Sequence, residues 1–174
     1  MASALTTPSK TILAPELIRS LMAQFKLSQY SVHGAAHWMR VRKNGLLLAK
    51  RTGANRSVVE LFSVFHDSCR YNDYEDPEHG FRGAQLAQRY FKKGLLPCSE
   101  AELEQLVEAC IGHTHELTHP DITIATCWDA DRLDLPRCWI DVDPMRLATK
   151  EARDPELIAW SARKASDWLK RTLR

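Results

Sequence analysis

The residues that can do chemistry in this chain stand at the ends of apolar runs. In FSVFHDSCRYND, residues 62–73, His66 and Asp67 close the run VVELFSVF, whose spacing is that of a buried helix. Burying an imidazole and a carboxylate is costly unless each finds a hydrogen-bond partner, an opposite charge or a metal. Groups of the same kind occur in similar places. His33 and His37 lie at i and i+4 in HGAAHWMRV, on one face of a helix start. His79 falls in DPEHGFRGA in the first turn of a helix, His113 and His115 lie at the end of another, and Asp131 sits in WDADRLD behind the apolar TIATCW. Helix ends of a bundle can gather in one cleft. Imidazoles with carboxylates then suit Mn, Fe, Co, Ni or Zn rather than Ca or Mg alone.

The elements that must position these groups read as helices throughout. Apolar residues recur at three- and four-residue spacing, and no segment shows the sustained alternation of a half-buried strand. Helices are expected near 15–27, 34–52, 57–69, 77–93, 99–115, 122–133, 144–152 and 156–173. Their starts are marked by Asp76-Pro77, Asp143-Pro144 and Asp154-Pro155, and by capping-box patterns at Ser57 to Glu60 and Ser99 to Glu102. At 174 residues the expectation is an all-α chain forming a single domain over 1–174, with a motif-bearing core at about 30–135 onto which the last two helices pack.

Composition excludes more than it assigns. With 44% hydrophobic residues, 26% charged residues and a net charge of +2, the chain matches neither a disordered protein nor one with a strong field for nucleic acid or membrane. Five cysteines without a C-x-x-C pair read as free thiols of a reducing compartment. The opening MASALTTPSKTILAP lacks the pattern of a signal peptide, and no apolar run approaches a membrane span, so a cytoplasmic protein is expected.

The order His37, then His66-Asp67, then Asp131 in an A-D-R-L context resembles the H…HD…D signature of the HD superfamily of metal-dependent phosphohydrolases. HWMRV, carrying Arg40 and Val41, resembles the first motif of that superfamily, and the likeness covers about residues 30 to 135. It implies an HD-domain, PDEase-like helical bundle in which His37, His66, Asp67 and Asp131 coordinate a divalent metal, with Asp129 and Asp134 as supporting groups or helix caps. The pattern His79-Gly80-Phe81-Arg82-Gly83, with His113 further on, resembles the additional ligands of two-metal members, in which Asp67 would bridge the ions.

The resemblance implies hydrolysis of a small phosphate ester, such as a nucleotide or related metabolite, by metal-activated water. One or two ions of Mn, Fe, Co, Ni or Zn would serve, with Mg also admissible. Charge developing on the phosphoryl group calls for nearby cations or donors. Arg70 is the first candidate, with His33 and His115 next; Arg40 is expected to hold a supporting carboxylate or a helix end. Trp38 and Trp128 are expected to wall the site as core, Gly34 and Gly83 to permit close packing, and Tyr71, Asn72 and Asp73 to form the pocket mouth. A dinuclear-iron oxygenase and a non-catalytic regulatory module are the rival implications. A near-neutral charge argues against a nucleic-acid polymer as substrate, and an apolar helix face is compatible with a homodimer.

Overall fold

The computed structural model describes residues 11–172; most of the opening segment and the last residue of the final expected helix lie outside them. Seven α-helices make up the described chain: α1 Pro15–Gln24, α2 Ala35–Thr52, α3 Arg56–Phe65, α4 His79–Lys92, α5 Glu100–Gly112, α6 Ile122–Arg132 and α7 Pro155–Thr172. Two short 3₁₀ turns, Leu135–Cys138 and Pro144–Arg146, lie between α6 and α7. No strand occurs among the described residues, as the spacing predicts.

Helix α3 is the axis of the bundle. Every residue from Val58 to Phe65 is buried, as befits a segment apolar on nearly all sides, and α2, α4, α5 and α6 pack around it. Its one charged side chain in that stretch, Glu60, is fully buried and satisfied by Arg42 at 2.5 Å and the Ile12 amide at 3.1 Å, which ties the start of the described chain to the core. A second apolar cluster, built on Leu48, Leu133, Leu147, Ala152 and Leu157, carries α7.

The expected boundaries are corrected in three places. Helix α3 is capped by Asn55, whose side chain accepts from the Ser57 and Val58 amides, so Ser57 is not the cap. It ends at Phe65, and His66 to Cys69 form a turn. Asp76 does not cap α4; it accepts from the Tyr71 amide at 2.9 Å and from Arg82 at 2.6 Å, bracing the loop before the helix. No α-helix forms over 144–152. There the buried Asp129 of α6 accepts from the Ala148 amide (2.6 Å), the Thr149 amide (2.8 Å) and the Thr149 hydroxyl (2.7 Å), which claims the donors of that segment for a side chain. The capping box at Ser99 forms as expected. All five cysteines are free; Cys110 and Cys127 are buried in α5 and α6, whereas Cys69 and Cys98 lie outside helices.

Close packing depends on glycines in α4. A Cβ at Gly83 would collide with the Phe65 carbonyl oxygen, and one at Gly80 with the Cys110 carbonyl oxygen, whereas Gly34 has ordinary room. The first approach seats α4 against the end of α3, where His66 begins. Gly83→Ala is expected to destabilise the chain by about 1–3 kcal/mol through overpacking against backbone that cannot rotate away. Urea denaturation at constant m-value checks this.

Candidate metal centre

Four of the side chains singled out by sequence converge where helix ends meet. His37 projects from the first turn of α2, His66 and Asp67 follow the last residue of α3, and Asp131 precedes the last residue of α6. His37 Nε2 lies 3.0 Å from His66 Nε2, 3.3 Å from Asp67 Oδ2 and 3.4 Å from Asp131 Oδ1. His66 Nε2 is 3.6 Å and 3.8 Å from the same two carboxylate oxygens.

The far side of each ring fixes what faces the middle. His37 Nδ1 lies 2.8 Å from Asp134 Oδ2 and His66 Nδ1 lies 3.0 Å from the Phe62 carbonyl oxygen, both acceptors, which assigns the N–H to Nδ1 in each ring. The two Nε2 lone pairs then point at one another. Only a cation between them relieves that repulsion, either a proton or a metal ion. Burial, which lowers the His66 imidazole to about 3, works against the proton. Asp131 Oδ1 is buried beside this gap without a hydrogen-bond partner, as an oxygen intended for a metal would be.

The arrangement is repeated on the other side of Asp67. His79 is the first residue of α4 and His113 follows the last residue of α5; their Nε2 atoms stand 2.9 Å apart. His79 Nδ1 meets the Asp76 carbonyl oxygen and His113 Nδ1 the Cys110 carbonyl oxygen, so these Nε2 atoms also present lone pairs. Asp67 Oδ1 is 3.2 Å from His79 Nε2 and 3.8 Å from His113 Nε2. One carboxylate thus offers Oδ2 to the first imidazole pair and Oδ1 to the second. His37, His66 and Asp67, and likewise Asp67, His79 and His113, form compact donor sets able to hold a metal ion. Burial alone would raise the Asp67 carboxyl, but His66, His113, His37 and His79 around it hold it well below the usual range. Burial likewise opposes ionisation of Asp131, yet Arg137 and the imidazoles keep it low.

A cavity of about 420 Å³ opens onto Asp67, Asp131, His79 and His113. Arg70 lines it, buried, with Nη1 3.5 Å from Asp67 Oδ1 and its remaining nitrogens donating to the Asn72 and Tyr74 carbonyl oxygens. Arg137, which sequence reasoning missed, lines it from the 3₁₀ turn after α6. Helical spacing carries no information about such a turn; the sequence cue was an arginine behind Pro136, three residues past Asp134.

The other expected residues divide. His33 precedes α2 instead of starting it, its ring centroid 6.2 Å from that of His37, and it does not line the cavity. Its Nδ1 lies 3.0 Å from Asp73 Oδ1, and burial takes its imidazole down to about 4. His115 is exposed and is not brought to the cavity. Tyr71, Asn72 and Asp73 do not form its mouth either: Tyr71 packs under Arg82, Asn72 braces the Tyr74 and Glu75 backbone, and Asp73 engages Ser31 and His33. Asp134 backs His37, and Arg40 holds Asp134 at 2.7 Å as expected. Asp129 faces away, toward Ala148 and Thr149. Trp38 and Trp128 are core, each indole N–H donating to a backbone carbonyl oxygen.

No family model and no curated protein matches the sequence. Among solved structures, the chain is similar to a predicted HD superfamily hydrolase from an uncultured Thermotogales bacterium, at 19% identity and a TM-score of 0.65, over 91% of this chain and 90% of that one. The fold is therefore that of an HD superfamily structure, in agreement with the resemblance carried by His37, His66-Asp67 and Asp131.

Asp134 fixes the His37 ring from behind. Asp134→Ala is expected to weaken metal retention by about 10–100-fold, as loss of a ligand-orienting carboxylate does, while His115→Ala leaves it unchanged. Elemental analysis after dialysis against a graded chelator series measures both.

Proposed function

We propose that this chain is a metal-dependent phosphohydrolase that cleaves a small phosphate ester at a two-metal centre. The observation that supports this reading best is the placement of Asp67 between two pairs of imidazoles whose Nε2 lone pairs face each other at 3.0 and 2.9 Å. In this reading His37, His66, Asp67 and Asp131 hold one ion, and Asp67, His79 and His113 the other. Mn, Fe, Co, Ni and Zn fit a mixed imidazole and carboxylate donor set. Such ions, when bound, polarise a phosphoryl oxygen and acidify water.

The chain's own residues supply the rest. Asp134 and the Phe62 carbonyl hold the rings of His37 and His66 in register, and the Asp76 and Cys110 carbonyls do the same for His79 and His113. Arg70 steadies Asp67 and adds positive charge beside it. In the reaction a water oxygen bonds to phosphorus, the ester P–O bond breaks, and the leaving alcohol takes a proton. A cavity of about 420 Å³ suits a substrate of nucleotide size or smaller, and its apolar wall of Leu135, Ile140 and Val142 suits an organic group attached to the phosphate. Among the described residues no helix is long and apolar enough to cross a membrane.

Purified protein supplied with Mn, Co, Ni or Mg and offered a panel of nucleotides and other phosphomonoesters is expected to release inorganic phosphate. A fully metallated protein that releases none, and instead shows the spectrum of a mixed-valence iron pair, would overturn the reading in favour of oxygen chemistry. Two substitutions test the ligand assignment. Asp67→Ala is expected to abolish metal retention and turnover together, whereas His113→Ala leaves one ion of two, counted by elemental analysis.

Metal removal should also loosen the fold, because the ligands come from α2, the turn after α3, α4, the end of α5 and α6. At free metal of about 100–1,000 times the dissociation constant, binding adds roughly 3–4 kcal/mol. Adding a chelator is expected to lower the melting temperature measurably, and Asp67→Ala should melt at the same temperature with or without it.

A further inference from the structure

Four guanidinium groups line the cavity, and two of them are committed to backbone carbonyl oxygens. Arg70 donates to the Asn72 and Tyr74 carbonyl oxygens and braces the 70–76 turn. Arg132 donates to the carbonyl oxygens of His113, Glu116 and Leu117, which fastens the turn after α5. Arg146 is exposed at the rim.

Arg137 differs from these. It is 4% exposed, and its Nε donates to the Val32 carbonyl oxygen at 2.9 Å, which aims the rest of the group inward. Its Nη1 is buried with no hydrogen-bond partner. That nitrogen stands 3.7 Å from Asp131 Oδ1, and Nη2 stands 4.0 Å from Asp67 Oδ2. Both carboxylates are therefore near enough to attract the guanidinium and too far to satisfy its N–H groups. A buried charged donor left unmatched is costly, so the position is explained by an acceptor that arrives with the ligand. That acceptor must be anionic, carry several oxygens, and lie in the cavity over Asp67 and Asp131. A phosphoryl group meets each condition, and the planar fork of arginine is the side chain best matched to it.

We infer that Arg137 is the residue that grips the phosphoryl group of the substrate, donating Nη1–H to a non-bridging oxygen. This rests on the phosphohydrolase reading. Arg70, the candidate suggested by sequence, is then a positioning residue that keeps Asp67 and the 70–76 turn in place.

The test is binding of inorganic phosphate to metal-loaded protein, followed by calorimetry, for the wild type, Arg137→Ala and Arg137→Met. Removing a cation beside Asp131 does not remove a ligand, so metal content is expected to stay at the wild-type level in both variants. Phosphate affinity is expected to fall about tenfold or more, the loss of one charge-assisted hydrogen bond, and added guanidinium ion should restore part of it to Arg137→Ala alone. If Arg137→Ala sheds metal, Arg137→Met, which keeps the apolar stem, carries the comparison. Phosphate affinity unchanged in a metallated variant overturns the assignment, while phosphate release by the wild type would leave the hydrolase reading intact. Arg137-dependent phosphate binding by a wild type that hydrolyses no ester would do the reverse.

Discussion

The structure depends on an electrostatic conflict that neighbouring side chains meet only in part, with Arg70 Nη1 3.2 Å from His79 Nε2 and the Thr114 hydroxyl 3.4 Å from His113 Nε2. Two imidazole pairs, His37 with His66 and His79 with His113, present lone pairs to each other across about a hydrogen bond's length, because the opposite nitrogen of every ring is committed to an acceptor. Asp67 stands between the pairs with one oxygen toward each. A chain that merely needed to bury four histidines would have turned them so that donors met acceptors. Here every ring has been turned the other way, and the backbone carbonyls of Phe62, Asp76 and Cys110 enforce it. The arrangement suits a cation in each gap.

The scaffold exists to hold that arrangement. Helix α3, buried from Val58 to Phe65, is packed tightly on its neighbours, and His66 and Asp67 stand at its exit. Glycines let α4 press against the end of α3 and against the exit of α5, which brings the first residue of one helix to the last turn of another. Hydrogen bonds between ring nitrogens and backbone oxygens then fix orientation without additional side chains. Only His37 needs a carboxylate behind it, and that carboxylate, Asp134, is itself held by Arg40.

Much of the candidate centre was legible in the sequence because its histidines and carboxylates stand at the ends of apolar helical runs, where period and polarity change together. His66, His79, His113 and Asp131 were all visible in this way. The choice among Asp129, Asp131 and Asp134 was not settled by that signal. At about 100° per residue, Asp129 lies about 160° from Asp131 on α6, so one face turns to the centre and the other anchors Ala148 and Thr149, while Asp134 lies past the end of the helix. The absent helix over 144–152 and the position of Arg137 have the same cause. Both follow from side chains capturing backbone groups, Asp129 taking amides and Arg137 the Val32 carbonyl oxygen, and such long-range contacts leave no periodic trace. His115 and the Tyr71 to Asp73 turn do not line the cavity for a related reason: proximity in sequence to a candidate site residue says nothing about which way a turn faces.

The separation between Arg137 and the carboxylates of Asp67 and Asp131 follows from competing requirements. Were the guanidinium to close on Asp131 Oδ1, it would occupy the lone pairs that a metal ion needs, and the buried ion pair would gain little over its desolvation. Were it farther away, Asp67 and Asp131 would lose the positive field that helps keep them ionised in the interior. The tether from Nε to Val32 holds the group between these limits, at 3.7 and 4.0 Å. Arg70 repeats the compromise on the other oxygen of Asp67, at 3.5 Å, with its other nitrogens bound to a turn. Two cations thus stand near the buried carboxylates without closing on them, and Arg137, with an unmatched nitrogen, retains the capacity to bind an anion.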